Sequence, residues 1–329
     1  MSLTARLFKS NLELAEYCAS NVLKYYENRV VVVNKPFGVA PFDLNEKVEP
    51  TVTMRSAAQE LGPLMDLDFC RLSRCVPRHC SGPAVFATTD QNWWRLRKAS
   101  MRRFSHNYRA GAVKSKRALV RSILVCTGDP STDSADGYVY QKTVDVRGEE
   151  QFVTTDERPT RVSVLRKEQA EDYCRMRVIR QCPSRELFLV KLYHSSFVND
   201  VPQLFLLKHR LAVLGDTVYQ RRVTRFMGET VVLPPHKASA DAQLLPLRFL
   251  KRARLDRRAY QRLPAFFHVF LWRVRDGLGY DRPLRVRAPL PAHFLELFEL
   301  MDWTDALREL DGSAAQDEDD DDIAAPPSD

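Results

Sequence analysis

The sequence predicts a mixed α/β fold built round a central, largely antiparallel sheet, with helices and loops flanking it. Three observations carry that expectation. Arg29–Asn34 is a run of β-branched apolar residues, the composition of a buried strand. Residues 160–165, 174–180 and 186–193 alternate between apolar and polar side chains, as strands of an antiparallel sheet do. Helical spacing stands at both ends, in Leu12, Leu14, Ala15, Cys18, Val22 and Leu23 and again across residues 294–310.

Taken in order, residues 9–26 fit one helix, followed by the strand at 29–34. Lys35-Pro36-Phe37-Gly38 ends that strand, because Pro fixes φ and Gly permits a tight turn. Helical spacing returns at 51–61. A short strand follows at 84–87, then a basic aromatic helix at 92–104. Residues 117–126 read as a strand that Gly128-Asp129-Pro130 turns. Residues 130–156 are polar and mixed, a loop with one hairpin. After the alternating strands, 201–214 fits a helix that takes Pro202 in its first turn. Residues 221–262 read as a long insertion with a basic second half, 266–275 as a strand and 294–310 as the closing helix. From Gly312 the chain is acidic, small and Pro-containing, the composition of a disordered tail.

The chain has 329 residues, enough to bury a substantial core. Its formal charge is +8, but Asp311, Asp317–Asp322 and Asp329 include eight acids and no base. Without them the body carries +16. A body that basic attracts polyanions, of which nucleic acid is the commonest. No apolar run is long enough for a membrane-spanning helix. The cysteines are seven, an odd number with no secretory signal before them, which fits reduced thiols. No cysteine pair has zinc-knuckle spacing, so no metal is expected. The N-terminus carries Arg6 and Lys9 before its first acid, Glu13. A short amphipathic targeting segment and an ordinary first helix explain residues 1–27 equally well.

Four segments stand in a telling order. They are VVVVNKPFGVAP (Val30–Pro41), RLSRCVPRHCSG (Arg71–Gly82), LGDTVY (Leu214–Tyr219) and RAPLPAHF (Arg287–Phe294). The set resembles the landmarks of RluA-type RNA pseudouridine synthases: K-P-x-G, R-L-D-x-x-T-S-G, G-D-x-x-Y and A-P-L-P. The resemblance spans residues 28–303. It implies one pseudouridine synthase domain there, with 221–262 inserted, and residues 304–329 as the end of the closing helix plus the acidic tail. It also implies an RNA substrate and no small-molecule cofactor.

The resemblance implies chemistry begun by one Asp, kept ionised by a basic residue and placed beside a ring that packs on the uracil. An adjacent carboxylate and guanidinium stabilise each other's charge. Anchoring the second landmark on Ser81-Gly82 puts Pro77 at the Asp position. Anchoring it on Arg71-Leu72 puts Ser73 there. Neither supplies a carboxylate. Lys116 falls at the ring position, and Gln203 at the position of the Arg that closes G-R-x-H-Q-x-R, with Asp200 in place of its His. Asp66, Asp68 and Asp200 are the acids from which a relocated carboxylate could come.

Cations and flat rings share one segment: Trp93, Trp94, Arg95, Arg97, Lys98, Arg102 and Arg103. Lys114, Lys116 and Arg117 follow, and Arg252, Arg254, Arg257 and Arg258 form a second cluster; Arg78 sits in the R-L-D-like loop. These arginines and lysines read as phosphate contacts, and the two tryptophans as core. The expected function is RNA binding, to a structured RNA, by a synthase relative that has lost catalysis. Two alternatives stay open: an active synthase with a relocated carboxylate, and a protein-interaction scaffold without RNA. The acidic tail reads equally as a solubilising segment and as a contact for a protein partner or for the basic patches. Mitochondrial family members point to mitochondria, with cytoplasm and nucleus as alternatives.

Overall fold

The computed structural model describes residues 7–42, 52–98, 120–146, 148–158, 160, 162–163, 169–182, 186–194, 197, 200–238, 247–255, 263–274 and 284–310. Its first layer contains α1 (Asn11–Ser20), β1 (Val22–Tyr26), β2 (Val30–Lys35), α2 (Met54–Leu64), β3 (Arg71–Cys75), β4 (Gly82–Ala87) and α3 (90–98). Ser10 caps α1 by accepting from Glu13 N at 3.1 Å, and Thr53 caps α2 by accepting from Ser56 N at 3.1 Å. The strands pair antiparallel in the order β1-β2-β4-β3. Val30–Val33 are wholly buried between two apolar clusters. Each contributes roughly 1.5–3 kcal/mol before the cost of ordering it.

Two expectations change here. The single helix at 9–26 ends at Ser20, and Val22–Tyr26 instead forms a hairpin with β2, turned at Asn28 with φ 54°. β-branched and aromatic side chains with a pairing strand beside them outweigh the helical spacing. The segment read as the R-L-D-like loop begins as the edge strand β3, so only residues 76–81 form a loop.

The second sheet holds β5 (Val120–Gly128), β6 (Ser134–Val146), β7 (Glu149–Thr155), β8 (Gln169–Gln181) and β9 (Leu187–His194). After α4 (Val201–Lys208) come β10 (Leu211–Val213), the separate hairpin β11 (Val223–Phe226) and β12 (Glu229–Val232), and α5 (Leu247–Ala253). β13 (Phe267–Val274), β14 (Leu284–Arg287), α6 (Ala292–Met301) and α7 (304–310) complete the described chain. The strand order is β14-β13-β5-β9-β8-β6-β7, with β10 also on β5. Every ladder is antiparallel; the parallel pairings among the described residues are isolated bridges. One face of the sheet packs on α4, the other on α6 and α7.

Residues 130–156 are mostly long strands rather than loop: β6 runs for 13 residues and pairs with both β7 and β8. Val162 and Ser163 are helical, not extended. The helix expected at 201–214 stops at Lys208, and Arg210 at φ 60° turns the chain into β10. The closing helix breaks at Asp302, whose φ of 57° lets Trp303 fold into the core before α7. Residues 99–119, 256–262 and 311–329 lie outside the described residues, and with them parts of the basic aromatic helix, the insertion and the tail.

The two sheets meet at Ser81-Gly82. Ser81 N donates to Phe267 O at 3.0 Å and Val269 N donates to Ser81 O at 2.8 Å, which ties the end of the 76–81 loop to β13. Val30, Val32, Val85, Ala87, Trp93 and Leu96 pack against Leu284 and Val286 of β14 across the same junction. A Cβ on Gly82, at φ +137°, would lie 2.6 Å from Val269 O. Gly38, at φ +85°, meets nothing within 4 Å. Gly38→Ala therefore costs only backbone strain, about 1–2 kcal/mol, whereas Gly82→Ala adds a backbone clash and costs at least about 3 kcal/mol. Urea unfolding of the two variants checks this; equal losses would contradict the junction's tightness.

Candidate functional site

The K-P-F-G turn and the 76–81 loop hold each other. Gly38 N donates to Arg78 O, and Arg78 Nε donates back to Gly38 O, both at 3.0 Å. Behind them Lys35 is fully buried. Its Nζ donates to Pro36 O and Val39 O at 2.9 Å. Burial brings its pKa down to about 8, against the pull of the neighbouring Cys75, Cys80 and Cys18. Lys35 is thus an internal tie for the turn rather than a cation offered to a ligand.

Ser81 opens a second tie. Its Oγ lies 2.9 Å from His268 Nδ1, and His268 Nε2 lies 3.2 Å from Ala288 O of the A-P-L-P segment. A carbonyl only accepts, so Nε2 carries the proton and Nδ1 accepts from the Ser81 hydroxyl. Burial keeps this imidazole neutral, with its pKa down at about 4. The second and fourth sequence landmarks are joined through one histidine.

The third landmark closes on the loop. Gln203 of α4 and His79 meet at 2.6 Å, Nε2 to Nε2, so the amide donates to an unprotonated ring nitrogen. Burial lowers the His79 pKa, although Asp216 and Asp200 both favour its charged form. Gln203 Oε1 is buried with no hydrogen-bond partner among the described residues. Asp216 accepts from Val218 N and Tyr219 N at 2.9 Å, which closes the G-D-x-x-Y turn. Burial pushes its pKa up, opposed by those backbone N–H groups and His79. Tyr219 donates its hydroxyl to Asp200 Oδ2 at 2.9 Å, and burial with Asp200 beside it raises its pKa.

The residues singled out in the sequence fall into distinct places. Ser73 lies within β3 at a shift of register, its buried hydroxyl without a partner among the described residues. Pro77 stands in the loop, its carbonyl accepting from Cys80 N at 3.1 Å. Asp66 and Asp68 are exposed in the α2–β3 connection. Arg95, Arg97 and Lys98 share the solvent face of α3. Trp93 is core, as expected, and donates to Leu72 O at 3.1 Å. Trp94 is not: it is 48% exposed, with Arg97 near its ring, because it falls on the outer face of α3. Arg252 is paired with Asp302 and Arg254 is exposed. Arg102, Arg103, Lys114, Lys116, Arg117, Arg257 and Arg258 lie outside the described residues. Sequence reasoning missed His79 and the Asp200–Tyr219 bond. The available signal was a histidine inside the loop, three residues before Gly82, facing a helix that carries Gln203.

No family model matches the chain. Over 82 residues it is 33% identical to the Bos taurus protein described as mitochondrial mRNA pseudouridine synthase RPUSD3, and over 106 residues 27% identical to the Homo sapiens protein of that description. The matches cover 25% and 32% of this chain, and the chain spans 24% and 30% of those relatives' lengths. Human RNA pseudouridylate synthase domain containing 4 superposes with a TM-score of 0.59 at 13% identity, over 89% of this chain and 97% of that one. The chain thus resembles RNA pseudouridine synthases in sequence over part of its length and in fold over most of it. Human RNA pseudouridylate synthase domain containing 1 shares the fold with a TM-score of 0.50 at 11% identity, over 82% and 83% of the chains. The mixed α/β fold with antiparallel sheets expected from the sequence is the fold of these structures.

The buried histidines give this protein a defined acid sensitivity. His268 and His293 have folded-state pKa values of about 4 and about 3, both below the ordinary 6.5 and both chiefly through burial. Below pH 6.5 the unfolded chain therefore binds more protons than the folded one. Stability is full above about pH 6.5 and falls as pH drops through 4, with His268 alone accounting for roughly 3 kcal/mol. Denaturant unfolding between pH 7 and pH 4 checks this. His268→Gln flattens the slope, and an unchanged slope would contradict the burial of that ring.

Proposed function

We propose that this protein binds structured RNA and does not isomerise uridine. The observation that carries the reading is the His79–Gln203 pair. The resemblance implies an ionised carboxylate held by a guanidinium, with the carboxylate on the 76–81 loop and the Arg at position 203. A neutral amide and a neutral imidazole meet between those two segments instead. Neither initiates attack on a uracil ring as a carboxylate does, and loss of a group that acts as part of a unit costs several powers of ten in rate.

Residues 28–303 act as one RNA-binding unit in this reading. The basic body, at +16 without the acids from Asp311 onward, supports it. Arg95, Arg97 and Lys98, with the half-exposed ring of Trp94, offer phosphate contacts and a stacking surface on one helix face. The curated relatives are named for mitochondrial mRNA, and a mitochondrial RNA is accordingly the proposed ligand.

One observation favours a second reading. Asp200 lies close enough to His79 and Asp216 to influence both, and it stands on the N-terminal side of α4. A relocated carboxylate would be this one. Its αL backbone and its bond to the Tyr219 hydroxyl give it a structural duty, which is why the first reading is preferred.

The purified protein is expected to leave uridine unchanged in RNA that it binds. Its affinity falls steeply with salt, and Arg95→Ala/Arg97→Ala/Lys98→Ala lowers the log–log salt slope by about two. Unchanged affinity and slope would make α3 a mere solvated face. Pseudouridine formed by the wild type and abolished by Asp200→Asn, but not by Asp68→Asn, would replace the first reading with the second.

A further inference from the structure

A cavity of about 390 Å³ lies between the C-terminal end of α4, the strand β7 and the β11–β12 hairpin. That volume falls in the range of small-molecule sites, about 300–1,000 Å³. The buried Leu204 and Leu207 of α4 give it an apolar floor. Its polar lining includes Lys208, Arg210, Thr154 and Glu229, all of them exposed. Residues two apart on a helix face different ways. Here α4 ends at Lys208 and Arg210, with φ 60°, turns the chain into β10, so both cations line the one cavity.

Arg222 is the buried cation of the lining, and backbone holds it there. Its Nε donates to Leu233 O at 3.0 Å and its Nη1 to Phe152 O at 3.4 Å. Among the described residues no acid pairs with Lys208, Arg210 or Arg222. Three cations against Glu229 alone leave the lining two charges positive. Thr154 and Thr230 add two hydroxyls. A phosphate carries up to two negative charges and several acceptor oxygens, and it matches a lining of ammonium, guanidinium and hydroxyl donors. A lone phosphate does not fill the cavity, and the leucine floor suits the nucleoside that carries it.

The cavity adjoins the His79–Gln203 contact without sharing a residue with it. Lys208 follows Gln203 by five residues, about 7.5 Å along α4. We propose that the cavity is a phosphate site for a ribonucleotide unit, with Lys208 and Arg210 contacting the phosphate oxygens and the nucleoside over Leu204 and Leu207. The shared chemistry is the phosphate group, which a free nucleotide and an RNA strand both supply. The site stands on the cavity itself; the RNA source rests on the RNA-binding reading above.

Calorimetric titration of the full chain with UMP and with uridine tests this. UMP is expected to bind, and uridine, which lacks the phosphate, is not. Lys208→Ala/Arg210→Ala weakens UMP binding by about tenfold or more, through the loss of charge-assisted contacts. Thr154→Trp keeps every cation and fills the cavity from an exposed strand position, and it weakens UMP binding too. Arg55→Ala, an exposed cation of α2, leaves it unchanged. A short oligouridylate with a 5′-hydroxyl, which carries only internal phosphates, separates the sources. An RNA strand is the source when Thr154→Trp weakens the oligonucleotide by about threefold or more, and a free nucleotide is the source when Thr154→Trp weakens UMP alone. A wild type that does not bind UMP, uridine bound as tightly as UMP, or UMP binding unchanged in either cavity variant overturns the proposal. UMP binding is expected even if the protein binds no RNA, so its loss and the loss of RNA binding are separate results.

Discussion

The close approach of Ser81-Gly82 to β13 is the constraint on which the rest depends. Two sheets that could have folded as neighbours are stitched there by two backbone hydrogen bonds, and a side chain at residue 82 would collide with Val269. The stitch fixes where the 76–81 loop ends. It sets Ser81 against His268, and through it against Ala288, so that three distant stretches of sequence share one buried hydrogen-bonded chain. The loop is then clamped from the other side by the Gly38–Arg78 pair. His79 is left pointing at α4 by its neighbours rather than by its own chemistry.

This framework brings His79 and Gln203 together at its centre. The scaffold residues sit at turns and are tied to backbone groups: Lys35 bonds backbone carbonyls, and Asp216 accepts backbone N–H groups. A catalytic ion pair needs a carboxylate and a guanidinium in contact, and burial without the partner would discharge either one. An amide against a neutral imidazole, as in the Gln203–His79 contact, carries no such penalty. That contact is compatible with a stable fold and, on the proposed reading, with a surface for polyanions.

Much of the fold was legible because its strands carry strong local signals. The valines of β2 and the alternation in β8 and β9 announce themselves. The failures share one cause, which is that tertiary pairing decided what local spacing left ambiguous. Val22–Tyr26 has helical spacing but lies beside β2, and Leu211–Val213 continues a helical pattern but lies beside β5. The break at Asp302 required a left-handed residue where the sequence offered no glycine. At the site, the landmarks gave the loop, the turn and position 203. They could not give His79 as the partner of Gln203, since that contact spans 124 residues and depends on the stitch at Ser81.

The central claim is that this chain holds RNA without changing it. Crosslinking the protein to RNA in cells, and mapping pseudouridine at the crosslinked sites with and without the protein, tests it most directly. The account predicts that bound RNA is recovered and that every pseudouridine at those sites persists when the protein is deleted. A uridine whose modification disappears on deletion, and returns when the purified protein alone is added to that RNA, would contradict it.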